Sequence, residues 1–322
     1  VSAIPPPLTP VEVLTFGETM GSLRAAGPVR LGGDMSMSLG GAETNVAIGL
    51  ARLGHSVRWT GRLGDDEVGV FALRTLRAEN VTTDAVVIDP HRTTGLMLLE
   101  SRLSGVSRAL YYRRSSAGSA LTVSDLEASL EAAPHILHLT GITPALSPEA
   151  ADAALWAASE ARRRGILVSF DVNYRSKLWD PAAASSVLTR LAGFAEIVIA
   201  SDDELELVSP GTDEEYAVRA LHERGVRDVI IKRGADGATG WSGGVAIHQG
   251  AVPVTAVDTV GAGDAFTAGY LSALLDGDPM EARLQRGAVL GAFAVAATGD
   301  WENLPTRSEL ALADRTAGST IR

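Results

Sequence analysis

The chain has 322 residues, 46% of them hydrophobic, enough for one large α/β domain with a buried core. Its 28 basic and 39 acidic residues leave a net charge of −11, which argues against nucleic acid as a partner because no background field draws phosphates in. With no cysteine, disulfides, thiolate metal sites and cysteine nucleophiles are excluded.

The opening VSAIPPPLTP has neither a basic start nor an apolar stretch, so residues 1–10 read as a flexible leader and not as a signal peptide. No apolar run approaches the length of a membrane span, and a cytoplasmic protein without membrane contact is expected. A strand is predicted over VEVLTFG (11–17), and residues 19–39 then show many glycines and little helical periodicity. SLGGAETNVAIGLARLG (38–54) sets Gly40 and Gly41 before a helix whose apolar positions Val46, Ile48, Leu50 and Leu53 stop at Gly54. Asn45, one turn into that helix, can hydrogen-bond a ligand hydroxyl that Gly41 lets approach closely. TTGLMLLESRLSGVSRALYYRRS (93–115) has its turn signal at LSG and reads as a hairpin. The two β-rich insertions, about 18–40 and 92–116, predict a small sheet standing off a domain that spans 11–306. That sheet reads equally as a lid, as decoration or as a dimer interface.

In the second half, β-rich runs alternate with helical patterns. HILHLTG (135–141), ILVSFDV (166–172), EIVIAS (196–201) and DVIIKRGADG (228–237) are separated by helices over 147–164, after the Asp-Pro start at 180, and in a short acidic stretch. Such alternation predicts parallel strands with crossover helices, a doubly wound α/β sheet. His135 and His138 point to opposite faces of one strand and do not suit a shared metal. Trp156, Trp179, Trp241 and Trp301 read as packing residues, and the arginines at 162–164 as cations at a helix end. The tail, 307–322, reads as peripheral.

AVPVTAVDTVGAGDAFTAGYLSALLDG (251–277) is predicted as a strand followed by a helix, with Phe266, Tyr270, Leu271 and Leu274 toward the core and Gly277 near its stop. Gly261, Ala262 and Gly263 then fall at the helix start, where free N–H groups and the dipole favour an anion. This is neither a Walker A loop nor the dinucleotide fingerprint. Asp264 at an anion-binding helix start opposes a phosphate unless it takes a proton from the group that attacks it.

Together, GGAETNVAIGLARLG and DTVGAGDAFTAGYL resemble, in order and separation, the two signatures of the ribokinase-like (PfkB) carbohydrate kinases, and the likeness runs over about 11–306. The resemblance implies a ribokinase-like, mostly parallel doubly wound sheet with a small β-sheet lid over the sugar, and phosphoryl transfer from ATP. It makes Asp264 the catalytic base and the amides of Gly261, Ala262 and Gly263 the anion hole. It assigns Lys232, Gly234 and Gly237 in KRGADG to the nucleotide, with Gly261 and Gly263 against its phosphates. Where the family has Asn-x-x-Glu for hydrated Mg²⁺, this chain has SDDE (201–204). Ser201 therefore replaces the asparagine near the nucleotide, and Glu204 is left as a water-mediated metal contact. A monovalent cation near Asp258 is a further implication.

The substrate clue is ALYYRRSSAGSAL (109–121). On a strand Tyr111 and Arg113 share one face and Tyr112 and Arg114 the other, so a lid would offer an aromatic wall beside a forked carboxylate donor. Arg175, in DVNYRSKLW (171–179), leaves the carboxyl end of a parallel strand, where open α/β sheets bind ligands. A neutral sugar needs neither cation, so a sugar acid is expected. These segments are similar to those of sugar-acid kinases within the family, which implies substrate contacts from Gly41, Tyr111, Arg113, Arg175, Asp264 and Asp300. Met97 stands where some members carry a lid tyrosine, which points to altered selectivity. The rivals are another kinase of the family acting on fructose, ribose or a deoxy-inositol-derived acid, a sugar- or nucleotide-binding regulator without chemistry, and, more weakly, a dehydrogenase. A homo-oligomer would form through the lid edge if that edge is apolar and exposed.

Overall fold

The computed structural model describes residues 8–103, 106–211 and 213–314. The readings for 1–7, for the hairpin tip at Ser104 and Gly105, and for the tail after 314 fall outside the described residues. In chain order the strands are β1 (Val13–Phe16), β2 (Met20–Ala25), β3 (Met35–Gly40), β4 (Val57–Thr60), β5 (Arg62–Gly64), β6 (Val87–Asp89), β7 (Gly95–Leu103) and β8 (Val106–Tyr112). They continue as β9 (Ile136–Thr140), β10 (Leu167–Asp171), β11 (Ile197–Ser201), β12 (Asp228–Lys232), β13 (Ala238–Ser242) and β14 (Val245–Gln249). The α-helices are α1 (Ala42–Arg52), α2 (Glu67–Ala78), α3 (Val123–Glu131), α4 (Pro148–Arg163), α5 (Pro181–Ala192), α6 (Leu205–Val208), α7 (Glu214–Glu223), α8 (Ala262–Leu275) and α9 (Met280–Val295).

The main sheet has the order β14-β13-β12-β11-β10-β9-β1-β4, parallel from β12 to β4, with β13 and β14 added antiparallel at one edge. Its central strands are almost continuously apolar because helices cover both faces. One apolar layer joins the sheet to α3 through α7, with Leu126, Ala157, Leu188, Val208 and Leu221 buried in it. The other joins it to α1, α2, α8 and α9 through Ile48, Leu76, Leu271 and Leu290. Helix starts are fixed by side-chain caps: Ser147 accepts from Ala150 N–H, and Asp180 accepts from Ala182 and Ala183 N–H. β3-β2-β7-β8 form a separate four-stranded sheet, joined to the core directly after β1. It unites the two insertions, as the sequence predicts.

One expectation is corrected. The segment at 251–260 forms no strand, although its valines and threonines favour one. β14 already closes the sheet edge, so this stretch must travel back toward the sheet centre along the surface, and residues 253–257 are exposed. Val257 and Asp258 N–H bond Val295 O at the end of α9 (2.7 and 3.3 Å). Residues 307–314 form a 3-10 helix in which Arg307 bonds Leu53 O at 2.6 Å and pairs with Asp276 at 2.7 Å.

β1 has β9 on one side and β4 on the other, so crossovers leave it in opposite directions. The crevice at such a point, outside the carboxyl ends of the strands, is where open α/β sheets place ligands. Here it is bounded by the ends of β1, β9 and β10, by the starts of α1 and α8, and by the small sheet. No α-helix among the described residues is long and apolar enough to cross a membrane.

Candidate active site

A polar cleft fills this crevice, and most residues singled out in the sequence line it. Gly41 and Asn45 enter from α1, Tyr111 and Arg113 from the small sheet, Arg175 from the loop after β10, and Gly261 and Asp264 from α8. Asp300 closes the remaining side. Met97 also faces the cleft, in register with Tyr111 on β8, and presents a thioether there.

Asp264 sits in the first turn of α8, buried but bordering the cleft. Asn45 Nδ2 donates to its Oδ2 at 2.8 Å, and Asn173 Nδ2 donates to Oδ1 at 3.2 Å. Each oxygen keeps lone-pair capacity, and neither is held by a cation among the described residues. Asn173 takes a left-handed φ of 39°, which asparagine tolerates, and so turns its amide inward. Burial raises the Asp264 pKa, opposed by the Asn45 hydrogen bond and the Arg175 charge, so the carboxylate is a stronger base than a solvated one. The amides of Gly261, Gly263 and Asp264 bond no acceptor among the described residues, and Ala262 N–H has only a 3.4 Å contact to Thr259 O. This helix start therefore leaves free donors with which an anion can bond. Gly261 is required by the fold itself: its φ is 76°, and a Cβ would stand 2.1 Å from Asp300 O.

Lys232 ends β12, and its Nζ bonds Asp171 Oδ2 at 2.7 Å, an oxygen that also accepts from Thr267 Oγ1 at 3.1 Å. Burial alone would lower its pKa, but Asp171, Glu204 and Asp264 outweigh that and raise it, so the ammonium keeps its proton. Nζ is 3.3 Å from where a Cβ of Gly263 would lie, which places the charge directly behind the start of α8. None of the KRGADG candidates Lys232, Gly234 and Gly237 lines the polar cleft. Gly234 faces open space beyond β12, whereas Gly237 packs on the backbone at Gln249 and so serves the β12–β13 turn.

Glu204 accepts Tyr174 N–H at 2.7 Å and Ser201 N–H at 2.8 Å, while Ser201 Oγ donates to Asp203 Oδ1 at 2.5 Å. No group of three or more metal-ligating side chains forms among the described residues. One fixed carboxylate with spare lone pairs fits Mg²⁺, which binds through few protein oxygens and keeps its waters and substrate phosphates.

The arginines differ from each other. Arg113 pairs with buried Glu18 and lies 5.4 Å from the Tyr111 ring centroid, whereas Arg175 is exposed and has no ion pair among the described residues. Tyr112 and Arg114 face outward, as the alternation predicts. Arg24, from β2, stands 2.8 Å from Asp258 and 3.8 Å from Asp300. Burial, then Glu302 and Asp264, push Asp300 up to about 7, against the pull of Arg24.

Sequence reasoning missed Glu18, Arg24, Glu43, Asp171 and Asn173. The D-x-N spacing contained a signal for the last two. Glu43 lies inside the first glycine motif, yet nothing in its spacing shows that Thr140 and Thr143 hydroxyls will donate to it at 2.7 and 2.8 Å. A wider groove of about 440 Å³, lined by Val218, His222, Arg227 and Trp241, lies at the opposite end of β12 and shares no residue with the polar cleft.

Comparison with known proteins agrees with this geometry. The profile of the pfkB family of carbohydrate kinases matches residues 12–307. The chain is 37% identical over 308 residues to 2-dehydro-3-deoxygluconokinase of Bacillus subtilis (strain 168), covering 94% of each chain. It is 35% identical over 280 residues to a fructokinase of Klebsiella pneumoniae, covering 84% of this chain and 90% of that one. A crystal structure from E. coli assigned as a ribokinase II in complex with ATP and Mg²⁺ superposes with a TM-score of 0.89 at 25% identity, covering 94% of this chain and 99% of that one.

Proposed function

The chain belongs to the pfkB family of carbohydrate kinases, which are ATP-dependent phosphotransferases, and from that premise we propose that it phosphorylates 2-keto-3-deoxygluconate. The observation that carries this substrate is Arg175, a cation without an ion-pair partner among the described residues, on the rim of the cleft that holds Asp264. A sugar-acid carboxylate supplies the missing partner and orients the far hydroxyl toward the base.

The terminal hydroxyl gives its proton to an Asp264 oxygen as its own oxygen bonds the γ-phosphorus, while the bond from that phosphorus to the β-γ bridging oxygen breaks and ADP leaves. Asn45 and Asn173 hold the carboxylate in place. The Gly261, Ala262 and Gly263 amides, with Lys232 behind them, stabilise charge on the moving phosphoryl group. Glu204, with Ser201 beside it, would hold hydrated Mg²⁺. When bound, that ion neutralises charge on the nucleotide phosphates. The small sheet covers the sugar and keeps out water that would hydrolyse ATP.

A second reading, a fructokinase, draws on Arg113: its pairing with Glu18 leaves one uncompensated arginine at the cleft instead of two. ADP release measured against a panel of neutral sugars and sugar acids decides between them. Highest kcat/KM on 2-keto-3-deoxygluconate is expected; preference for fructose would overturn the sugar-acid reading and leave the kinase intact.

A further inference from the structure

Buried carboxyl groups crowd the start of α8. Asp258, Asp264 and Asp300 are all buried there, and Glu302 adds its charge to Asp300. Asp300 also touches the anion hole through its backbone, against Gly261. Unless a cation offsets them, these carboxylates oppose the incoming phosphoryl group.

The family likeness puts a monovalent metal ion beside Asp258, but a guanidinium already stands against that carboxylate. Asp258 Oδ1 accepts Val260 N–H at 3.2 Å. Its Oδ2 faces Arg24 Nη1 at 2.8 Å, and Arg24 Nη2 is 3.8 Å from Asp300 Oδ1. The Arg24 side chain is only 20% exposed, so its guanidinium is built into the cluster and is not resting on its surface. A metal ion on the same carboxylate would meet a fixed positive charge at contact distance.

We propose that Arg24 is the resident cation of this site: its guanidinium, carried in by the small sheet, replaces a monovalent metal ion, so the kinase turns over without potassium or sodium. The inference rests on the kinase assignment and not on the choice of sugar. Because Arg24 belongs to β2, the charge that offsets Asp258 and Asp300 arrives with the sheet that covers the sugar.

The test compares wild type and Arg24→Ala, each with Mg²⁺ and ATP, in tetramethylammonium, sodium and potassium chloride at equal ionic strength. Turnover and the melting temperature of the sugar-free protein are both recorded. Wild type is expected to vary less than about twofold and to melt at one temperature in all three salts, since an ion that does not bind the folded state cannot stabilise it. Arg24→Ala is expected to lose about tenfold or more in tetramethylammonium, to recover part of that loss in potassium, and to melt higher there. Wild type activated or stabilised by potassium, or a variant indifferent to potassium in both readouts, overturns the proposal. The wild-type arm decides the matter even where removal of Arg24 prevents folding, and melting needs no substrate, so a wrong sugar cannot be mistaken for a wrong cation.

Discussion

The starts of α1 and α8 are built alike and do different work. Each follows a glycine with positive φ, Gly41 or Gly261, and each carries a carboxylate in its first turn, Glu43 or Asp264. In both, burial raises the carboxyl pKa, Glu43 to about 7. They part in their partners. Asp264 is oriented by two side-chain amides, one on each oxygen, whereas Glu43, which lines the same cleft, accepts two threonine hydroxyls on one oxygen and packs under Gly17, where an added Cβ would lie 2.4 Å from its carboxyl carbon. The same local pattern therefore gives one carboxyl oriented by amides on both oxygens and, in Glu43, a strut pinned by hydroxyls on one oxygen.

The sharpest break in this comparison is Asp264→Ala. It should lower kcat by about 10²- to 10⁴-fold, as loss of a general base does, while sugar binding measured by calorimetry stays nearly unchanged. Near-normal turnover would show that the two helix starts do not differ in chemistry at all.

Asn45→Ala sharpens the comparison from the other side. Its hydrogen bond pulls the Asp264 pKa down, so its removal lets the pKa climb further. A base works deprotonated, so the acid limb of the kcat/KM profile should move to higher pH, with about a tenfold loss near neutrality. A uniform drop without that movement would make Asn45 a substrate contact and not a holder of the base.

The arginines give the next effect. Arg175→Ala should cost about tenfold in kcat/KM on a sugar acid and about twofold or less on a neutral sugar, because only the acid loses a charged partner. Arg113→Ala should instead lower the urea midpoint, since it leaves Glu18 buried without its cation. Equal losses on both substrate types for Arg175→Ala would remove the carboxylate argument.

What the sequence revealed follows the range of the interactions involved. The alternating strands, the glycine-marked helix starts and Asp264 were legible because each is set by residues close in the chain. The partner of Arg113 was not, because Glu18 reaches it only once β2 and β7 pair and bring distant segments together. The valines of 251–260 misled for a related reason: β-propensity describes a residue that fits a pleated sheet, and here the sheet edge was already taken by β14. Arg24 gave no signal at all, since a lone arginine on a short strand is usually a surface residue.

Glu43→Gln has the smallest expected effect on turnover and isolates the strut. In the folded chain this carboxyl titrates at about 7 against 4.5 when exposed, so between those values the folded state holds more protons than the unfolded one. Stability must then fall as pH rises through that window, and the loss levels off above it. Glutamine cannot titrate, so the variant should lose less stability between pH 4.5 and 8 than wild type, by on the order of 3 kcal/mol at most. Turnover should stay within about threefold, because the side chain donates nothing to the phosphoryl group. Asp300 shares the sign of this shift, so some decline should persist in the variant. Urea midpoints measured across that range check it. A variant whose stability declines as steeply as wild type would mean that Glu43 is ionised at little cost in the folded protein, and the contrast between the two helix starts would then lie in geometry alone.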